Sequence, residues 1–243
     1  MGGNSLPRWC VGVRQQKEVL RHEIADVTTN ESLFPTLIER YKAQHVVEVG
    51  VAQGTLSKRM VMQFKGSLLD YICVDPWIPY PEWSDRPWKD WELSASWWER
   101  VYQKVKAWAD KNPEVTVYRM TSMEASRKVS DCSVNGVYID SIHDFPNLVC
   151  DVWAWLPKII PGGFISGHDY VRRFSGLIEA VDMIFGSDLR LVHKLGGSWF
   201  VAIDSEDTKQ KYLNVIRERV GESPEILLKN PPDLFRQKDK VTA

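Results

Sequence analysis

The chain has 243 residues, 44% of them hydrophobic, and its 31 Lys and Arg against 32 Asp and Glu give a formal net charge of -1. This size and apolar content suit one α/β domain with a full core, and the balanced charge argues against a nucleic-acid partner. No apolar run is long enough to span a membrane, and the four cysteines lack CxxC spacing. We therefore expect a cytoplasmic protein with reduced thiols.

Strands and helices alternate along most of the chain. The predicted strands cover residues 46–49, 71–74, 116–119, 136–139, 163–166, 190–194 and 199–203. The predicted helices cover residues 36–41, 55–64, 91–109, 122–128, 147–159, 176–185 and 207–220. This alternation predicts βα units around a mostly parallel sheet. The sequence Pro161-Gly162-Gly163 is expected to end one helix and turn into the next strand.

The last two predicted strands break this rhythm. Only Gly196-Gly197 separates residues 189–195 from 198–204, so these segments should pair as a tight antiparallel hairpin. We expect a Rossmann-like α/β fold with a seven-stranded sheet, mostly parallel with a C-terminal antiparallel hairpin, and helices on both faces. The domain is predicted to cover residues 36–204, between a leader of residues 1–35 and a helix and tail of residues 205–243.

A glycine turn after the first predicted strand is the most informative local pattern. Glu48 and Gly50 end that strand, Gly54 precedes the next helix, and Asp75 ends the second strand. Glycines at a strand end let the backbone approach a ligand, and an acid beside them suits a ribose diol. A dinucleotide fingerprint needs a third glycine, and no phosphate loop follows. Glu48 would repel phosphate but accept from an ammonium group or a water, so a cofactor with an amino-acid end is favoured over one with phosphates. A tight βα turn without a ligand is the alternative.

This pattern resembles the class I S-adenosylmethionine-dependent methyltransferases over about residues 34–204. The resemblance implies that the turn from Gly50 to Gly54 lies along the methionine part of S-adenosylmethionine. It also implies that Asp75 accepts hydrogen bonds from the ribose hydroxyls and that Glu48 belongs to the cofactor motif.

The segment after the third predicted strand would then border the adenine. Met123 would pack on the adenine ring, and Ser122 or Glu124 would reach its amino group. For Met123, a plain core position is the alternative.

The ends of the fourth and fifth predicted strands narrow the family. Asp140 and His143 follow one strand and His168-Asp169 follow the other, a pattern that resembles the macrocin-type sugar O-methyltransferases. These strand ends are also similar to those of catechol-type O-methyltransferases, which hold Mg²⁺ there. Because carboxylates at neighbouring strand ends can converge on one hard cation, Asp140, His168 and Asp169 are candidate metal ligands. Asp140 is also a candidate cofactor contact. A histidine at position 168 departs from the acidic pair of the catechol enzymes, so a metal-free site is the alternative.

We assign the catalytic roles to His143, Asp169 and His168. His143 occupies the place of a lysine base in the catechol enzymes, and a histidine can accept a proton at neutral pH. Four alternatives stay open: His143 as a surface or packing residue, Asp144 as the operative group, Asp140 as a cap of its own turn, and His168 as a structural hydrogen-bond donor.

A tryptophan-rich insert, about residues 76–100, follows the second predicted strand. It is longer than ordinary βα loops and starts right after Asp75. Its aromatic side chains predict a lid over the cofactor or a wall of the acceptor pocket. A structural role or a dimer contact is the alternative, with Trp98 as a core residue of the following helix.

The main hypothesis is an S-adenosylmethionine-dependent O-methyltransferase acting on a sugar, a glycosylated molecule or another small hydroxylated acceptor, with or without Mg²⁺. A non-catalytic cofactor-binding or scaffold protein of the same fold is an alternative, since fold alone does not define function. A nicotinamide oxidoreductase is disfavoured by the missing glycine and the terminal hairpin. We expect no nucleic-acid or membrane partner, and homo-oligomerisation stays open.

Overall fold

The computed structural model describes residues 30–79, 94–192 and 197–229. The helices are α1 Asn30–Tyr41, α2 Thr55–Gln63, α3 Ala95–Ala109, α4 Ser122–Ser126, α5 Phe145–Trp155, α6 Ser175–Phe185, α7 Glu206–Val220 and α8 Ile226–Lys229. The strands are β1 His45–Val49, β2 Asp70–Val74, β3 Val115–Tyr118, β4 Val134–Ile139, β5 Ile159–Gly167, β6 Arg190–Val192 and β7 Ser198–Ile203. Two short 3₁₀ helices, Leu156–Lys158 and Gly186–Asp188, follow α5 and α6.

The strands form one sheet in the order β3-β2-β1-β4-β5-β7-β6. Strands β1 to β5 pair in parallel, whereas β7 pairs antiparallel with both β5 and β6. The prediction of a Rossmann-like, mostly parallel sheet with antiparallel C-terminal strands is confirmed, although residues 193–196 of the expected hairpin turn lie outside the described residues. The strand order reverses between β1 and β4, which opens a crevice at their carboxyl ends.

Helices cover both faces of the sheet because successive strand residues point to opposite sides. Val47 and Val137 belong to a buried cluster that includes residues of α4, α5, α6 and α7. Val46 and Tyr71 belong to the cluster on the other face, which includes residues of α1, α2 and α3. The helices of these two clusters fix the positions of the carboxyl ends of the strands from both faces of the sheet.

Helix α1 begins at Asn30 rather than at residue 36, and it contains Pro35. Its apolar residues are almost fully buried, and the ring of Phe34 stacks on Tyr138 at 4.7 Å. A proline inside a helix costs one backbone hydrogen bond, but burial of this apolar face offsets that cost. The predicted start of this helix at residue 36 is therefore wrong, while the predicted boundary between leader and domain at residues 35 and 36 stays a prediction. Residues 1–29 lie outside the described part.

Helix α5 ends at Trp155, and β5 already begins at Ile159, so the sequence Pro161-Gly162-Gly163 lies inside β5. The expectation that this sequence turns between helix and strand was wrong. The register between β4 and β5 shifts here, which marks a bulge that tolerates proline and glycine. A Cβ on Gly163 would lie 2.4 Å from the carbonyl oxygen of Asn135, so the bulge brings the two backbones very close.

The remaining boundaries differ from the prediction by a few residues. Ser94 caps α3 through a hydrogen bond from the backbone N–H of Trp97, while residues 80–93 of the insert lie outside the described residues. Helix α8 was not predicted. None of the described helices combines the length and the apolar character needed to cross a bilayer.

Candidate active site

The glycine turn lies where β1 and β4 separate at their carboxyl ends. Gly50 has a φ of +91°, and the backbone N–H of Asp140 donates to the carbonyl of Val49 at 2.8 Å. A Cβ on Gly50 would lie 2.1 Å from the carbonyl oxygen of Asp140. Only glycine therefore permits this close approach. It places Gly50, a candidate cofactor residue, directly against the backbone of Asp140, a candidate metal ligand.

Asp75 follows β2 and is 9% exposed. Its Oδ2 accepts hydrogen bonds from the backbone N–H groups of Val51 at 3.0 Å and Ala52 at 2.9 Å, and its Oδ1 accepts from the N–H of Trp77 at 2.7 Å. Burial raises the pKa of Asp75, and these backbone donors lower it in part. Asp75 thus holds the glycine turn in shape. The predicted contact with a ribose diol would use lone pairs that these three bonds leave over.

Trp77, which the sequence analysis placed in the insert, is only 1% exposed. Its Nε1 donates to the carbonyl of Ala52 at 2.8 Å, and its ring lies 5.2 Å from the ring of Tyr102. Trp98 is buried as well, in agreement with a core position on α3. Both described ends of the insert are thus part of the core. The predicted lid or wall would be formed by residues 80–93, which lie outside the described residues.

Glu48 is buried on the α2 face of β1. Its Oε2 accepts from the hydroxyl of Ser57 at 2.5 Å and from that of Tyr71 at 2.6 Å. Desolvation raises the pKa of Glu48 from 4.5 to about 8, which favours the protonated form of the buried carboxyl group. Glu48 therefore ties β1 to β2 and α2. Its predicted contact with an ammonium group stays a prediction.

The predicted adenine segment opens α4. Glu124 forms a capping box with Thr121, accepting from the backbone N–H at 3.0 Å and from the hydroxyl at 2.7 Å. These hydrogen bonds lower the pKa of Glu124. Met123 is half-buried and packs against the core. Both residues thus have structural partners, and their contacts with adenine stay predictions.

Ser122 belongs to a buried hydrogen-bond chain that the sequence analysis missed. Its hydroxyl accepts from Trp155 Nε1 at 2.8 Å and donates to Asp151, which also accepts from the hydroxyl of Ser141 at 2.5 Å. Desolvation raises the pKa of Asp151 to about 6. The signal available in the sequence was Asp151 itself, a single acidic residue on the otherwise apolar face of α5. This chain joins the start of α4 to the residue that follows Asp140.

Four titratable side chains converge after β4 and β5. His143 Nε2 lies 3.3 Å from Asp140 Oδ1 and 3.2 Å from Asp169 Oδ2. His168 Nδ1 lies 3.2 Å from Asp169 Oδ1 and 3.9 Å from Asp140 Oδ1. The side chain of His143 is 12% exposed, less than the other three. The structure thus brings together all the residues that the sequence analysis assigned to catalysis and metal binding.

The geometry adds His143 to the candidate metal ligands of the sequence analysis. Ligand atoms of Asp140, His143 and Asp169 all lie within 4.8 Å of one another, so His143, assigned as the base, is also a potential metal ligand. Two carboxylates and one imidazole are suitable ligands for Mn²⁺, Fe²⁺ or Zn²⁺. They are less typical of Mg²⁺, which prefers an all-oxygen set. The residues therefore fit a divalent cation. Asp144 instead caps α5, accepting from the backbone N–H of Asn147 at 2.8 Å.

The segment after Asp169 packs on this cluster. Asp169 has a φ of +58°, a strained conformation for a non-glycine residue, and strain of this kind concentrates at functional sites. The ring of Phe174 stacks on His143 at 4.6 Å. The sequence analysis did not single out Phe174, because no motif marks it and only the fold brings it onto His143.

A glycine turn at the switch point, with acids and histidines at the neighbouring strand ends, defines the class of the protein. A family model described as a methyltransferase domain matches residues 47–170, just over half of the chain. The chain belongs to this family and is a class I S-adenosylmethionine-dependent methyltransferase.

Solved structures share the fold at low sequence identity. A Klebsiella pneumoniae protein provisionally named an O-methyltransferase is 16% identical, with a TM-score of 0.51 over 74% of this chain and 82% of that one. Cofactor-bound Rv0187 from MTB is 12% identical, with a TM-score of 0.50 over 75% and 86%. The O-methyltransferase TomG from Streptomyces achromogenes, in complex with SAM, is 13% identical, with a TM-score of 0.49 over 71% and 78%. A search of curated proteins finds no match.

Proposed function

We propose that this methyltransferase transfers the methyl group of S-adenosylmethionine to a hydroxyl of a small acceptor, in the manner of the macrocin-type sugar O-methyltransferases. The observation that carries the proposal is the position of His143 between the carboxylates of Asp140 and Asp169. This group lies at the carboxyl ends of β4 and β5, next to Gly50 at the switch point, where ligands of open α/β sheets bind.

In this proposal the cofactor lies across the glycine turn. Asp75 holds the turn through the N–H groups of Val51 and Ala52, so its backbone conformation is set before the cofactor arrives. Preorganisation of this kind lowers the cost of binding. The residues proposed to contact the cofactor are those of the sequence analysis: Glu48, Gly50, Gly54, Asp75, Ser122, Met123, Glu124 and Asp140.

The acceptor oxygen attacks the methyl carbon, the carbon–sulfur bond breaks, and the cofactor leaves as the uncharged thioether S-adenosylhomocysteine. His143 takes the hydroxyl proton as general base. Asp140 and Asp169 orient its imidazole and stabilise the imidazolium that forms, because both carboxylates lie within hydrogen-bonding reach of Nε2. Holding the acceptor in line with the methyl–sulfur bond supplies a large part of the rate.

A divalent cation would be held by Asp140, His143 and Asp169, with His168 beside them. When bound, such an ion lowers the pKa of an acceptor hydroxyl and fixes its direction. His168 would then be the nearest candidate for the proton acceptor. Dialysis against EDTA followed by addition of Mg²⁺ or Mn²⁺ distinguishes the two arrangements, because turnover that survives chelation leaves His143 as the base.

The test begins with cofactor binding. S-adenosylhomocysteine should raise the melting temperature, as ligand linkage requires, while NAD⁺ should not. In methyl-transfer assays with S-adenosylmethionine and a panel of hydroxylated acceptors, His143→Ala should lower kcat by about 10²- to 10⁴-fold with unchanged affinity for S-adenosylhomocysteine. His45→Ala is the matched control, since His45 starts β1 at the opposite end of the strand. Absence of cofactor binding, or full activity of His143→Ala, contradicts the proposal.

A further inference from the structure

Two arginines, Arg172 and Arg173, lie in the segment between β5 and α6, three and four residues after Asp169. This segment turns back on itself, with the N–H of Val171 donating to the carbonyl of Asp169 at 2.7 Å and the N–H of Phe174 donating to that of Val171 at 2.8 Å. Both arginines are exposed. Both guanidinium groups are therefore accessible to solvent, in a segment that follows Asp169 directly in sequence.

Arg173 is linked to the proposed base by a column of stacked groups. Its guanidinium carbon lies 5.6 Å from the centre of the Phe174 ring, and that ring stacks on His143 at 4.6 Å. Phe174 thus contacts both the proposed base and Arg173.

Neither arginine has a carboxylate partner within the described part of the protein. The chain as a whole has a net charge of -1, so a general excess of positive charge does not explain this pair. Arginine is the side chain best suited to bind carboxylate and phosphate groups through paired hydrogen bonds.

The cluster next to the arginines has the opposite sign. Asp140 and Asp169 would repel an anionic acceptor, unless a cation at the rim binds its negative group away from these carboxylates. The order of Arg173, Phe174 and His143 provides this separation. A neutral acceptor would gain little from two unpaired guanidinium groups at this place.

We propose that the acceptor of this methyltransferase is anionic, a hydroxylated ring with a carboxylate or phosphate group that Arg172 and Arg173 bind while the hydroxyl reaches His143. This inference rests on the proposed function and specifies its substrate class. Arg172 and Arg173 determine specificity here and take no part in proton transfer.

The experiment measures sugar binding to the full chain saturated with S-adenosylhomocysteine, by calorimetry at low ionic strength. The probes are D-glucuronate, D-glucose 1-phosphate and neutral D-glucose. At least one anionic sugar should bind ten or more times more tightly than D-glucose, and the stronger of the two identifies the oxyanion. The double variant Arg172→Ala/Arg173→Ala should lose this preference and keep its affinity for S-adenosylhomocysteine.

The control is Arg127→Ala/Lys128→Ala, which removes the same charge from two exposed neighbouring residues after α4. This control should keep the preference for the anionic sugar. Equal binding of charged and neutral sugars, no measurable binding of either anion, or a preference that survives in Arg172→Ala/Arg173→Ala overturns the inference. The proposed function fails separately, when S-adenosylhomocysteine itself does not bind.

Discussion

The indole nitrogen of Trp77 donates a 2.8 Å hydrogen bond to the backbone carbonyl of Ala52. Both residues have positive φ angles, 47° and 45°, and the backbone N–H of each donates to Asp75. A non-glycine residue in this conformation costs about 1–3 kcal/mol and persists only when its surroundings enforce it. The glycine turn is therefore held in a strained shape from two sides, which fits a preformed binding loop.

The first prediction concerns this bond. Trp77→Phe keeps an aromatic ring but leaves the carbonyl of Ala52 without its indole donor, so the free energy of unfolding should fall by about 1–3 kcal/mol. Because the turn loosens, the affinity for S-adenosylhomocysteine should fall as well. Urea denaturation and calorimetry measure the two effects. Trp153→Phe is the control, since Trp153 is half-buried on α5, and equal losses of affinity in both variants would contradict the prediction.

The second prediction separates backbone strain from close approach at Gly50. Gly50 and Gly66 both have positive φ, but a Cβ on Gly66 meets nothing within 4 Å, while one on Gly50 collides with the carbonyl of Asp140. Gly66→Ala should cost about 1–2 kcal/mol from conformation alone. Gly50→Ala should cost more and abolish binding of S-adenosylhomocysteine, because β1 and β4 must move apart. Similar results for the two variants, in denaturation and binding, would show that the close approach is unimportant.

The third prediction concerns pH. The folded protein raises the pKa of Glu48 from 4.5 to about 8, so folding favours the protonated form. The contribution of Glu48 to the free energy of unfolding is therefore fully present below pH 4.5 and is lost as pH rises to about 8. Glu48→Gln cannot ionise, and at pH 9 it should be more stable than the wild type by up to a few kcal/mol, a difference that shrinks at pH 5.

Melting temperatures at pH 5 and pH 9 measure this difference between wild type and Glu48→Gln. Glu39→Gln, at an exposed position on α1, is the control and should follow the wild type at both values. A wild type that loses no more stability than Glu48→Gln between the two pH values would show that Glu48 is ionised in the folded protein.

The fourth prediction concerns the hydrogen-bond chain through Asp151. Asp151→Asn keeps the size of the side chain but removes a charged acceptor shared by Ser122 and Ser141, which should cost about 1–3 kcal/mol of stability. The segments after β3 and β4 then lose their common anchor, so the Kd for S-adenosylhomocysteine should rise. Asp131→Asn, whose side chain is largely exposed in a surface ion pair, should change neither value. Lost stability with an unchanged Kd would show that these hydrogen bonds stabilise the fold and have no influence on cofactor binding.

Much of the fold could be predicted because it depends on local spacing. The apolar run of residues 46–49, the following glycines and the acid at position 75 each mark an element by composition alone. The prediction failed where distant contacts decide. Pro35 lies within α1 because the helix packs on Tyr138, and Pro161 lies within β5 because a bulge opposite β4 admits it.

The candidate site shows the same division. The residue types of Asp140, His143, His168 and Asp169 were readable from two motifs, since strand ends in this fold meet at one edge. The side chains that pack around the site could not be predicted from these motifs. Asp151 and Phe174 lie in segments without a motif, and Trp77 was assigned to a loop, because nothing in the local sequence says which buried group a side chain will meet.

The sequence by itself determined the fold class, the family and the set of residues able to do chemistry, because hydrophobic period, glycine placement and strand-end acids are local properties. Only the tertiary structure decided what each residue does within that set. It enclosed Glu48 between two hydroxyls, and it placed His143 between two carboxylates. Charge, burial and hydrogen bonding act through space, and the distances that govern them are set by packing between segments far apart in the chain.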